Sequence, residues 1–169
     1  GVFLKEITDF FGNRVTLATA ADLETLGLDP RYLGWMVNTT MNVGDARVSG
    51  YEFNVRQSLN RFGKWGRFFS VFANATKLRL EGNSMASFTR FIPLSMNWGV
   101  TFTRNPLTLM LKWHHRGEQR QTAVPSLGAD AFLYQDPRTT LDLNLTYQIF
   151  KRHSLFINGR NIFNVEFKS

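Results

Sequence analysis

The chain has 169 residues, 43% of them hydrophobic, with 16 phenylalanines, no cysteine and a formal net charge of +7. That length and apolar content suit a folded domain and exclude a disordered tail; the lack of cysteine excludes disulfide scaffolds and thiolate metal sites. No run of 18 apolar residues occurs, so no transmembrane helix is encoded, a criterion that does not reach β-barrels.

Taken in chain order, seven segments alternate with a period of two, the spacing of a β-strand. The first, 2–11, is smeared. The second, 46–59, sets Tyr51, Phe53 and Val55 against Gly50, Glu52, Asn54 and Arg56. The third, 66–80, sets Phe69, Val71, Ala73 and Ala75 against Ser70, Asn74 and Thr76, with Phe72 intruding on the polar side. In the fourth, 92–103, Ile92, Leu94, Met96, Trp98, Val100 and Phe102 alternate with small and polar residues. The fifth, 107–118, opposes Leu107, Leu109, Leu111 and Trp113 to Thr108, Lys112, His114 and Arg116. The sixth, 140–149, reads TLDLNLTYQI, and the seventh, 154–165, carries SLFINGRNIFNV. Only 21–30, ADLETLGLDP, reads as a short helix, stopped by Pro30.

The joins alternate too. Strands two and three, four and five, and six and seven meet through short turns, whereas 12–45, 81–91 and 119–138 are long. Every long join therefore leaves from one end, the arrangement of outer-membrane barrels with short periplasmic turns and long outer loops. The alternating segments also exceed the usual soluble strand of about 5–6 residues and fit the roughly 9–11 that a tilted membrane strand needs. Aromatics near segment ends suit interfacial girdles. Basic residues fall mostly at strand ends and turns, which fits solvent or headgroups and no nucleic-acid patch. The apolar rows are then expected to meet lipid and the polar rows to face inward.

No catalytic constellation stands out, and an enzyme is not expected. His114 and His115 are adjacent on a strand, so they point to opposite faces and cannot share one metal ion. No metal or cofactor is expected. Asp142, Glu52 and Asp130 show no acid/base pairing readable from spacing, and no serine elbow or phosphate loop occurs.

VSGYEFNVRQSL followed by FFSVFANATKLRLEG resembles the paired strands of TonB-dependent outer-membrane receptors, and LDLNLTYQIFKRHSLFINGRNIFN resembles their next-to-last hairpin. The matching positions are Gly50, Glu52, Asn74, Thr76, Asp142, Tyr147, Asn161, Phe163 and Asn164. The resemblance implies an all-β, antiparallel, up-and-down transmembrane β-barrel portion: about seven strands, roughly 15 to 21, of a plugged barrel of about 22. Residues 1–169 are expected to form one partial barrel domain without an internal boundary. The opening GVFLKEITDFF and closing VEFKS lead us to expect that plug and closing strand belong to a longer parent chain.

By the same resemblance, the parent is a receptor in a Gram-negative outer membrane for TonB-energised uptake of a ferric siderophore, cobalamin or glycan. Its implied partners are outer-membrane lipid and lipopolysaccharide, its own plug, the TonB complex and an extracellular ligand. Glu52, Asn54, Arg56, Asn74, Thr76, Asn97, Asp142, Asn144, Thr146 and Gln148 would line the lumen against the plug. Lys112, His114, Arg116 and Arg120 form a basic cluster suited to an anionic ligand. A plugless porin and a soluble all-β binding module are the rival expectations.

Overall fold

The computed structural model of the chain describes residues 1–9, 11–42, 44–82, 88–128 and 131–166. Seven antiparallel strands make one sheet: β1 (Val2–Ile7), β4 (Ala46–Ser58), β5 (Phe69–Gly82), β6 (Leu94–Arg104), β7 (Leu107–Arg116), β10 (Arg138–Phe150) and β11 (His153–Gly159). They lie side by side in chain order, with β1 and β11 at the two edges. These are the seven expected strands, in an up-and-down path, and the barrel is not closed by them.

The register sorts the residues onto two faces. Trp98 of β6 lies opposite Trp113 of β7, Val100 opposite Leu111 and Phe102 opposite Leu109; across the next ladder Leu111 meets Leu143 and Leu109 meets Leu145. The two indoles stack in parallel planes with centroids 6.4 Å apart. One face is thus a continuous apolar sheet surface.

Neither face is covered by the other described residues. Among the described residues the buried apolar side chains are Ala18, Leu23, Ala46, Ala123 and Leu141, while Phe53 stays 59% exposed. The accessible surface is 12516 Å², against roughly 8,500 Å² for a compact soluble monomer of this mass. A sheet this open lacks the core that a soluble all-β domain needs, and its apolar face calls for an apolar surrounding.

The long joins hold structure that the alternation did not announce. The join at 12–45 contains a hairpin of β2 (Phe11–Leu17) and β3 (Met36–Asn42). The join at 119–138 contains a hairpin of β8 (Gln119–Ala123) and β9 (Phe132–Gln135). Their Thr- and Val-bearing sequences carry β-propensity, but both faces are polar or mixed, so the period of two is faint. The first sheet strand accordingly stops at Ile7 instead of residue 11.

The helix is shorter than expected. α1 (Ala20–Leu26) starts at a capping box in which Asp22 N–H donates to Thr19 Oγ1 and Thr19 N–H donates to Asp22 Oδ2. It ends at Gly27, whose left-handed φ of 64° closes the last turn, so Pro30 opens a separate 3₁₀ turn and does not stop the helix. The seventh strand ends at Gly159 and not at 165: Asn161 and Asn164 take positive φ of 47° and 50°, which turns the chain out of the sheet.

Candidate functional site

The second face of the sheet is polar, and its rows run straight across the strands. Glu52 pairs with Thr76, and Asn54 with Asn74 and then Asn97 and His114. Arg56 pairs with Phe72, which continues through Gly99 and Lys112 to Asp142. Asn144 and Thr146 lie opposite Met110 and Thr108, and Gln148 opposite Ser154. All ten residues expected to line a lumen therefore share one face.

Phe72, the residue out of pattern, has a structural role there. A Cβ on Gly99 would meet Phe72 Cε1 at 2.6 Å, so ring atoms occupy the place a side chain at Gly99 would take. The aromatic replaces the side chain that Gly99 lacks.

A hydrogen-bonded chain crosses the same face. Asn97 Nδ2 donates to Asn74 Oδ1 at 3.0 Å, which turns Asn97 Oδ1 toward His114, and His114 Nδ1 donates to it at 2.5 Å. His114 Nε2 lies 3.2 Å from Asp142 Oδ2. The other carboxylate oxygen, Oδ1, accepts the backbone N–H of Asn161 at 2.9 Å. Four strands and the turn after β11 are linked by one polar path. The spacing of Asp142 gave no sign of this pairing. Of the other two carboxylates weighed with it, Glu52 lies in the Thr76 row and Asp130 lies outside the described residues.

His115 points away to the apolar face, where its Nδ1 meets Thr139 Oγ1 at 2.9 Å. Among the described residues no group of three His, Cys, Asp or Glu side chains converges as metal ligands would.

Beside the His114–Asp142 pair lies a concavity of about 370 Å³, into which Arg116, Arg138 and Arg160 converge with Ser95, Thr140 and Asn161. Arg116 and Arg138 stand directly opposite each other across the β7–β10 ladder, an arrangement of like charges that costs stability. Arg116 donates from Nη2 to Gln119 Oε1, while its Nε is buried and meets no acceptor among the described residues. A second concavity of about 370 Å³ is lined by Asn54, Arg56, Phe72, Asn74, Met110 and Lys112.

Of the four basic residues singled out in the sequence, Lys112, His114 and Arg116 share the polar face of β7. Arg120 sits apart on the β8–β9 hairpin, its guanidinium 4.5 Å over the Phe132 ring, in a smaller concavity of about 220 Å³ with Glu118, Phe88 and Tyr134. Arg138 and Arg160, which complete the basic concavity, were not singled out. The run of Arg138 into TTLDLNLT carries a usable signal, since Arg138 shares parity with Asp142.

The family described as TonB dependent receptor-like, beta-barrel, matches residues 1–162. Two solved structures are similar: the pyoverdine outer membrane receptor FpvA from Pseudomonas aeruginosa PAO1 bound to pyoverdine (15% identity, TM-score 0.63, covering 98% of this chain and 23% of that one). The other is Pseudomonas aeruginosa FpvA in an iron complex with a heterologous pyoverdine (16% identity, TM-score 0.58, covering 92% and 20%). The chain thus spans about a fifth of the length of these receptors. No curated protein matches it. Its open seven-stranded wall and the match over nearly all its length lead to one conclusion: the chain belongs to the TonB-dependent receptor β-barrel family of the Gram-negative outer membrane, whose members are transporters and not enzymes.

Proposed function

We propose that residues 1–169 are one continuous section of barrel wall, without an internal domain boundary, in a receptor for TonB-energised uptake of a scarce nutrient, an anionic ferric siderophore before cobalamin or a glycan. The apolar face meets lipid. The polar face, including Glu52, Asn54, Arg56, Asn74, Thr76, Asn97, Asp142, Asn144, Thr146 and Gln148, meets the plug of the parent chain, which TonB moves.

The observation that carries the choice of ligand is the basic concavity of Arg116, Arg138 and Arg160. It gathers three guanidinium groups beside Asp142, and both oxygens of Asp142 are already engaged. An anion with several oxygen acceptors matches the geometry of guanidinium groups and relieves the repulsion between Arg116 and Arg138. Lys112 and His114 extend the positive surface along β7. No covalent chemistry is required of the wall: it binds, orients and passes the ligand. That the similar FpvA structures hold pyoverdine accords with a ferric chelate.

Uptake of radiolabelled ferric chelates, cobalamin and glycans by cells that depend on the parent receptor tests this reading. Uptake that requires TonB and falls when Arg116 and Arg138 are changed to Gln supports it. Uptake of none of the three nutrient classes excludes it, and uptake unaffected by the double change moves the ligand site elsewhere on the receptor.

A further inference from the structure

The formal charge of the chain is concentrated at one end of the sheet. Three short joins, 59–68, 104–107 and 150–153, connect β4 to β5, β6 to β7 and β10 to β11, and the ladders align all three on the same side. They carry Arg61, Lys64, Arg67, Arg104, Lys151 and Arg152 and no acidic residue. The chain has 20 Lys and Arg against 13 Asp and Glu. Everything outside the short joins therefore holds 14 basic residues against 13 acidic ones, and the short-join end accounts for nearly the whole surplus of +7.

Among the described residues none of the six cations makes an ion pair, although all six are exposed. The pairs Arg47–Glu6 and Arg79–Glu81 lie at the opposite end. Like charges gathered without counter-ions cost stability unless something anionic is supplied from outside.

Exposed aromatic rings are interleaved with the charges. Phe62, Trp65 and Phe150 are 76%, 67% and 68% exposed. The Arg104 guanidinium lies over two rings, 5.7 Å from the Trp65 centroid and 5.3 Å from that of Phe68. The Arg67 guanidinium also lies over the Phe68 ring, 4.7 Å from its centroid. A guanidinium stacked by its face keeps its N–H groups in the ring-parallel plane, open to oxygen acceptors. Aromatics at the ends of membrane strands sit at headgroup level. Cations there meet the phosphates of that layer.

We infer that the short-join end is a docking surface for anionic phospholipid headgroups of the periplasmic-side leaflet, with Arg61, Lys64, Arg67, Arg104, Lys151 and Arg152 as phosphate partners and Phe62, Trp65 and Phe150 as interfacial anchors. This adds a lipid specificity to the wall that is independent of which nutrient the receptor carries.

The test uses the whole parent receptor in detergent, titrated with phosphatidylglycerol or phosphatidylcholine, with bound lipid counted by native mass spectrometry. Wild type is expected to prefer phosphatidylglycerol by at least about fivefold, the scale of one basic side chain at an anionic surface. The preference falls toward unity when all six cations become Gln. It falls partway in the Lys151→Gln/Arg152→Gln variant, whose two changes lie in an exposed turn and leave the strands untouched. Changing Arg47 and Arg79 to Gln at the other end leaves the preference intact. Equal binding of both lipids by wild type overturns the inference, as does a preference that survives in both short-join variants. Preferential capture of an acidic peptide without any lipid preference also overturns it. A negative result here leaves nutrient uptake unaffected, so the two proposals fail separately.

Discussion

Asp142 lies directly opposite Lys112 in the β7–β10 ladder, yet its carboxylate reaches diagonally to His114, with Nε2 3.2 Å from Oδ2. Directly opposed residues on a sheet ordinarily interact first, and diagonal neighbours only when the side chains are long or aromatic. Here the backbone N–H of Asn161 holds Oδ1, and Asn97 holds the far side of the imidazole, so both partners are oriented along the diagonal. Asp142→Ala in the parent receptor removes an acceptor from His114 and from Asn161 together. The expected loss is about 1 kcal/mol of unfolding free energy, the lower end for a charge-assisted network because both side chains are partly exposed. Urea unfolding of Asp142→Ala, His114→Ala and the double variant measures the coupling. Strictly additive losses would mean that the two residues do not act as a pair.

The assignment of faces predicts opposite outcomes at neighbouring positions. Leu111 lies on the apolar face beside Val100 and Leu143, and Met110 on the polar face beside Thr101 and Asn144. Leu111→Arg puts a charge into lipid near mid-strand and should cost about 2–4 kcal/mol. Met110→Arg enters a wet, polar surface and should cost little. Folding of the two variants into bilayers, followed by denaturant titration, gives the comparison. A larger loss for Met110→Arg would invert the two faces.

Gly99 supplies a third prediction. A Cβ there meets Leu111 O at 2.5 Å as well as the Phe72 ring, so Gly99→Ala must displace both the ring and the β6–β7 ladder. The expected cost is about 1–3 kcal/mol. Adding Phe72→Leu frees the ring side only, because the carbonyl is backbone and cannot yield. The denaturation midpoint of the double variant should therefore recover in part. Full recovery would place the whole conflict on Phe72.

The seven wall strands were legible because each has one strongly apolar row, and a long one-sided strand writes its period into the sequence. TLDLNLTYQI gives β10 almost to its ends. The hairpins of β2 with β3 and β8 with β9 were not legible, since segments such as MVNTTMN have no apolar face to repeat. The ten polar residues could be assigned to one face from parity alone. Their partnerships could not, because the β7–β10 register depends on a connection of more than twenty residues with its own fold. The same limit hid Arg138, whose opposition to Arg116 exists only once that register is set. Arg160 joined the concavity through the turn at Asn161, where a strand running to residue 165 had been expected.

That correction to the basic cluster yields the last prediction. The sequence grouped Arg120 with Lys112, His114 and Arg116, but Arg120 lies over Phe132 on the β8–β9 hairpin, and its place beside Arg116 is taken by Arg138. If an anionic nutrient is held by the paired arginines, Arg138→Gln should weaken binding to the parent receptor by about tenfold, the scale of one charge-assisted hydrogen bond. Arg120→Gln should change it less than about twofold, since a charge at the hairpin acts only through screened, longer-range attraction. Raising the salt concentration should weaken wild-type binding more steeply than that of Arg138→Gln, because the variant has already lost part of the electrostatic contribution. Isothermal titration with the transported chelate at two ionic strengths provides both comparisons. A large effect of Arg120→Gln with none for Arg138→Gln would put the ligand in the hairpin concavity beside Glu118 and Tyr134 and leave the wall arginines to the plug.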